Sequence, residues 1–157
     1  MRREHFDLDV RNLDWVEADG EPQQPVARIE FSGPADDLAG RLYGIDDSPL
    51  AGDDIDVAFR LRDPFEAADE PAGVVSVANR LTGDFLFETN AAAENVFRFI
   101  HAAREYGQAT NDTDGRYCIE LSFDGETVSY EKTTFLVYDD EGDLLRSQSL
   151  IPSGVEL

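Results

Sequence analysis

Apolar residues recur at every second position in segment after segment of this chain, and that pattern limits what it can fold into. Ile55, Val57, Phe59 and Leu61 fall on one face of an extended strand, with Asp54, Asp56, Arg60 and Arg62 mostly on the other. Side chains of a strand alternate between two faces, so such a segment buries one face and wets the other. The alternation recurs in Phe6, Leu8 and Val10, in Ala27, Ile29 and Phe31, and in Tyr117, Ile119, Leu121 and Phe123. Val74, Val75 and Val77 are β-branched and nearly continuous, as in a strand covered on both faces. Leu81-Thr82-Gly83-Asp84 supplies turn chemistry, and Phe85-Leu86-Phe87 returns as the partner strand. Asp124-Gly125 marks a tight hairpin of type I′. Thr127 to Tyr138 reads as one long bent strand or two short ones, and Leu144 to Ile151 as a strand that pairs back.

Two stretches break the pattern. Ala91 to Tyr106 has helical spacing, with Asn90 as N-cap and Gly107 just past the end. Val96, Phe97, Ile100 and Ala103 form its apolar stripe, and Glu94, Arg98, His101 and Glu105 its wet face. A short helix is expected from Pro34 to Gly44, with Leu38, Leu42 and Tyr43 turned inward. These elements predict an α+β fold: a largely antiparallel sheet of about eight strands, one long amphipathic helix packed on one face, and one short helix. Length and the lack of an internal repeat predict a single domain over residues 1–157.

Composition bears on environment. Acids outnumber bases 34 to 13, for a formal charge of -21, and Lys132 is the only lysine. Net charge governs solubility and self-repulsion rather than fold. The Debye length falls from roughly 30 Å at about 0.01 M salt to roughly 3 Å at about 1 M, so this chain suits concentrated brine. With 41% hydrophobic residues it has material for a core and is not a disordered acidic tail. Cys118 is the lone cysteine, which rules out an intramolecular disulfide and fits a reducing compartment. No apolar run reaches the length of a membrane span. Arg2-Arg3 is followed at once by Asp7 and Asp9 rather than by an apolar signal region, so a cytoplasmic location is expected. Nucleic acid is not an expected partner, because the arginines are scattered among carboxylates instead of forming a basic stripe.

No residue is assigned a catalytic, cofactor-binding or specific metal-binding role, and no cofactor is expected. His5 and His101 are too few for a histidine-rich site. Cys118 reads as a packed strand residue, with Arg116 on its face expected to lower its pKa somewhat. Thr110 to Gly115 touches the calcium-loop pattern, but position twelve falls on Leu121 where an acid is required. Asp46-Asp47, Asp53-Asp54 and Asp139-Asp140 read as solvated loops that hold hydrated cations nonspecifically. Interface candidates are Trp15, the only tryptophan, and Leu150 and Ile151 in the less charged tail.

Three stretches carry a resemblance: Met1-Arg2-Arg3-Glu4-His5-Phe6, Asp9-Val10-Arg11-Asn12-Leu13-Asp14-Trp15, and the end from Thr134-Phe135-Leu136-Val137-Tyr138 to Ile151-Pro152-Ser153-Gly154-Val155-Glu156-Leu157. Together the chain resembles a small family of uncharacterised haloarchaeal proteins, a domain of unknown function. The resemblance implies a halophilic cytosol and no activity or site residue. The expected function is a non-enzymatic cytosolic interaction or accessory module of an extreme halophile. The alternative is a small-molecule-binding protein or enzyme with a site of dispersed residues. A protein partner or a second copy, in a homodimer, would be the ligand of a module. A ligand binder should show a deep pocket with convergent polar groups, and a module an exposed apolar patch or a free sheet edge.

Overall fold

Each alternating segment becomes a strand whose apolar side faces a common core. The computed structural model describes residues 5–34, 38, 40–42, 50–62, 71–110 and 115–152. The strands are β1 (Phe6–Arg11), β2 (Val26–Phe31), β3 (Ile55–Leu61), β4 (Ala72–Asn79), β5 (Phe85–Ala92), β6 (Tyr117–Phe123), β7 (Glu126–Lys132) and β8 (Leu136–Tyr138). The helices are α1 (Trp15–Ala18) and the long α2 (Ala93–Ala109). The short helix expected from Pro34 to Gly44 lies largely outside the described residues, although Leu38 and Leu42 are buried.

The strands do not form one sheet. They form two of four strands, in the orders β1-β2-β6-β7 and β5-β4-β3-β8. This corrects the expected eight-stranded sheet. One long helix cannot cover the apolar face of eight strands, so each sheet covers the other. Pairing is mostly antiparallel: β1–β2, β3–β4, β4–β5 and β6–β7 are antiparallel, and β2–β6 and β3–β8 are parallel.

The core lies between the sheets, and α2 helps to fill it. Leu8, Ala27, Ile29 and Ile119 of the first sheet and Val57 and Val75 of the second, with Val96 and Phe99 of α2, surround a void of about 20 Å³. Its walls are apolar and offer a water no hydrogen-bond partners. Phe6 stacks on Phe31 at 4.6 Å and on Phe87 of the opposite sheet at 5.1 Å. Phe99 meets Tyr117 edge-on at 5.3 Å and Phe135 at 6.3 Å.

Three boundaries depart from the sequence reading. β5 runs on to Ala92, where it pairs with Ala72, so Asn90 sits in the ladder and α2 starts at Ala93 without a side-chain cap. Ladder hydrogen bonds win over the capping preference of Asn90. At the other end Gly107 is a buried helical residue, and the Thr110 hydroxyl closes the helix by donating to the Tyr106 carbonyl at 2.8 Å. The inward stripe is Val96, Phe99, Ile100 and Ala103, whereas Phe97 is only half-buried.

The expected strand from Leu144 to Ile151 is replaced by two isolated bridges, Tyr138 to Leu144 and Phe135 to Leu150, around a 3-10 turn at Arg146–Gln148. The Ser149 hydroxyl explains why. It accepts from the Val137 amide at 2.9 Å and donates to the Leu145 carbonyl at 2.8 Å, taking over groups a ladder would have paired.

Lys132 joins the two sheets at the free edge of β7. Its ammonium donates to the Gly52 carbonyl at 2.8 Å and to the Ile55 carbonyl at 2.7 Å, at the start of β3. Burial lowers its pKa, and Arg80 adds to that effect while Asp56 and Asp53 oppose it.

Candidate binding face

The outer face of the second sheet carries the side chains that strand alternation turns away from the core. Ser76 of β4 pairs with Glu88 of β5, and Arg60 of β3 pairs with Val74 of β4. With Arg62, Phe85 and Asp140 they line an open groove of about 440 Å³. The Arg60 guanidinium donates to the Asp140 carbonyl at 3.3 Å. That carbonyl belongs to a turn held by Asp139, whose carboxylate accepts from the Glu141 and Asp143 amides at 3.0 and 2.8 Å.

The β4–β5 hairpin forms one end of the groove. Asn79, nearly buried, accepts from the Leu81 amide at 2.9 Å through its side chain, and its backbone pairs with Asp84 and Gly83 at 2.8 Å. Gly83 has φ +80, the left-handed region that glycine adopts without strain. This scaffold holds Leu81 at 70% exposure and Phe85 at 57%, the two large apolar side chains that stand out in solvent among the described residues.

Phe85 is outside because the pairing shifts between Val77 and Ala78. Val77 faces Phe87, but Ala78 faces Phe85, and Leu86 is the extra residue. A β-bulge of this kind re-aims the side chains before it. Leu86 and Phe87 are both buried as a result. Strict alternation would have put Phe85 in the core beside Phe87, and nothing in the sequence marks the bulge.

The ion pairs of the described residues are Arg11 with Asp9 at 3.0 Å, Arg28 with Glu30 at 4.0 Å, and Arg98 with Asp14 at 2.8 Å and Glu17 at 3.7 Å. Arg41, which donates to the Phe85 carbonyl at 3.3 Å, is not among them, nor are Arg60 and Arg62. Sequence reasoning did not single out these three arginines. The available signal was weak: Arg60 and Arg62 sit on the polar face of the most regular strand.

The sequence-derived interface candidates are not gathered in one patch. Trp15 is half-buried in α1, with its indole nitrogen enclosed and lacking a hydrogen-bond partner among the described residues. Leu150 is buried and exchanges backbone hydrogen bonds with Phe135 at 2.8 and 2.9 Å, while Ile151 is half-buried beside it. Helix α2 meets these regions at separate points: Arg98 reaches Asp14 beside Trp15, and Arg104 donates to the Ser149 carbonyl at 2.9 Å.

Other titratable candidates lie apart. His5 rests edge-on against Phe31 at 6.3 Å, and His101 is exposed on α2. The Cys118 thiol pKa is raised, by burial first and then by the Glu120 and Glu131 carboxylates. This overturns the expected lowering by Arg116: Glu131 faces Cys118 directly across the β6–β7 ladder. Of the calcium-like loop, residues 111–114 lie outside the described residues, as do Asp46 and Asp47. Among the described residues no three His, Cys, Asp or Glu side chains cluster as metal ligands, and no helix is long and apolar enough to cross a membrane.

The sequence profile of a family of unknown function, DUF5793, matches residues 1–157. No curated protein and no solved structure matches the chain.

Proposed function

The chain belongs to this family of unknown function, and from that premise we propose that it is a non-enzymatic interaction module that docks a protein partner on the β4–β5 hairpin and the outer face of the second sheet. The observation that carries this reading is the exposure of Leu81 and Phe85 on one hydrogen-bonded hairpin. Isolated exposed apolar residues are ordinary. Two large ones on a fixed hairpin, in a chain with charge -21, are the kind of patch that marks an interaction surface. The same charge and the single lysine support a cytosol of high salt as the working environment, and the lone Cys118 fits a reducing one.

A photo-crosslinking amino acid placed at Phe85 tests the reading in the source cells. A discrete protein adduct from position 85, absent from the same probe at exposed His101, is the expected result. Equal adducts at both positions, or none at either, contradict it.

The second reading is a small-ligand site in the same groove. Its volume of about 440 Å³ favours that reading, since ligand pockets run from about 300 to 1,000 Å³. Its openness favours the protein partner, because a small ligand there would keep much of its surface in water.

A further inference from the structure

We propose that the groove beside the hairpin receives an extended, carboxylate-bearing segment of the partner, with an apolar side chain seated against Phe85. This inference rests on the interaction-module reading and names the partner's chemistry. Acids outnumber bases 34 to 13, yet the ion pairs among the described residues use only Arg11, Arg28 and Arg98. Arg60 and Arg62, which line this groove, and Arg41, which donates to the Phe85 carbonyl beside it, take part in none of them. Arg41 and Arg60 are aimed by single bonds to backbone carbonyls, and the Arg62 side chain makes no hydrogen bond among the described residues. Glu88 and Asp140 share the groove but stand beyond ion-pair distance from both Arg60 and Arg62.

Guanidinium forks are suited to carboxylates, which they bind by paired, charge-assisted hydrogen bonds. Arginine is also favoured, with aromatics, at interface hot spots. The groove therefore offers cations along β3 and an apolar anchor at its hairpin end. Glu88 repels an acid on its own side, so the partner's carboxylates lie toward Arg60 and Arg62. Overall charge sets the conditions. At low salt the whole chain repels an acidic partner, and concentrated salt shortens that repulsion to contact range. Binding should thus strengthen as salt rises from dilute buffer, the reverse of an ordinary ion-pair interface.

The probe is a short labelled peptide of Glu and Ser with one central Phe, titrated against the full chain in multi-molar KCl. A control peptide has Lys in place of each Glu. Wild type should bind the acidic peptide and not the control. Arg60→Gln with Arg62→Gln should lose about tenfold or more in affinity, the scale of one charge-assisted hydrogen bond. Arg98→Gln on α2 should bind as wild type, and thermal melts should find all three proteins folded. Unchanged affinity in the double variant overturns the inference, as does equal or tighter binding of the lysine peptide. Displacement of the acidic peptide by equimolar inorganic phosphate also overturns it, in favour of a small-anion site. A crosslink at Phe85 that persists while the acidic peptide fails to bind sinks this inference alone and leaves the module standing.

Discussion

The Tyr117 hydroxyl donates a 2.6 Å hydrogen bond to the Thr134 carbonyl from a ring that is fully buried. Burial holds its pKa well above the ordinary phenol value. A raised folded-state pKa means that the native state keeps its proton when the unfolded chain has lost it. Stability from this group is then complete below the unfolded value of about 10 and is lost as pH rises toward the folded value. Tyr130, also raised by burial, acts in the same direction. Chemical denaturation across the alkaline range should show stability falling above about pH 10, and Tyr117→Phe should flatten that fall. The same substitution should cost about 1–3 kcal/mol near neutrality, because it strands the Thr134 carbonyl. An unchanged alkaline slope contradicts the assignment.

Lys132 titrates with the opposite sign. Its folded pKa is lowered, so between that value and the unfolded one the native state holds fewer protons, and this group's contribution rises with pH. Replacing it with Met removes that opposing contribution and should steepen the alkaline fall. It also leaves the Gly52 and Ile55 carbonyls without their donor, for a loss of about 1–3 kcal/mol in denaturant titration at neutral pH. A variant as stable as wild type would mean that Lys132 does not tie the sheets together.

Helix α2 offers a pair of adjacent positions with contrasting surroundings. Ile100 is 2% exposed, and His101 faces solvent. Ile100→Ala should cost about 2–5 kcal/mol, and His101→Ala less than about 0.5 kcal/mol. Urea titration of the two variants checks this, and a costlier His101 would mean the helix is rotated.

Much of the core was legible in the sequence, because period two and period 3.6 are consequences of backbone geometry. Ile55 to Leu61 and Tyr117 to Phe123 are where alternation put them, and helical spacing placed Val96, Ile100 and Ala103 inward but missed Phe99 in favour of half-buried Phe97. Asp124 and Gly125, with φ +49 and +77, make the left-handed pair that their hairpin turn requires. What escaped depends on partners distant in sequence. Whether eight strands make one sheet or two is settled by the parallel pairing of β2 with β6 and β3 with β8, which no local pattern announces. Phe85 is exposed through a single extra residue, and Lys132 is a tie because Gly52 happens to face it. Leu150, chosen for its uncharged surroundings, has those surroundings because it is in the core.

Charge makes stability depend on salt. With -21 formal charge and the ion pairs at the surface, melting temperature should climb as KCl rises from dilute buffer to multi-molar. Differential scanning calorimetry across that range checks it, and equal melting temperatures at both ends would remove the case for a saline environment.

The β4–β5 hairpin is proposed as the docking element. Capture from the source lysate in multi-molar KCl tests it most directly, comparing wild type with Leu81→Ser combined with Phe85→Ser. Both side chains stand mostly in solvent, so the double variant should melt within a few degrees of wild type. Wild type should retain a defined protein, identified by mass, and the folded double variant should lose it. Retention of the same protein in the same yield by the double variant would rule the hairpin out as the docking element.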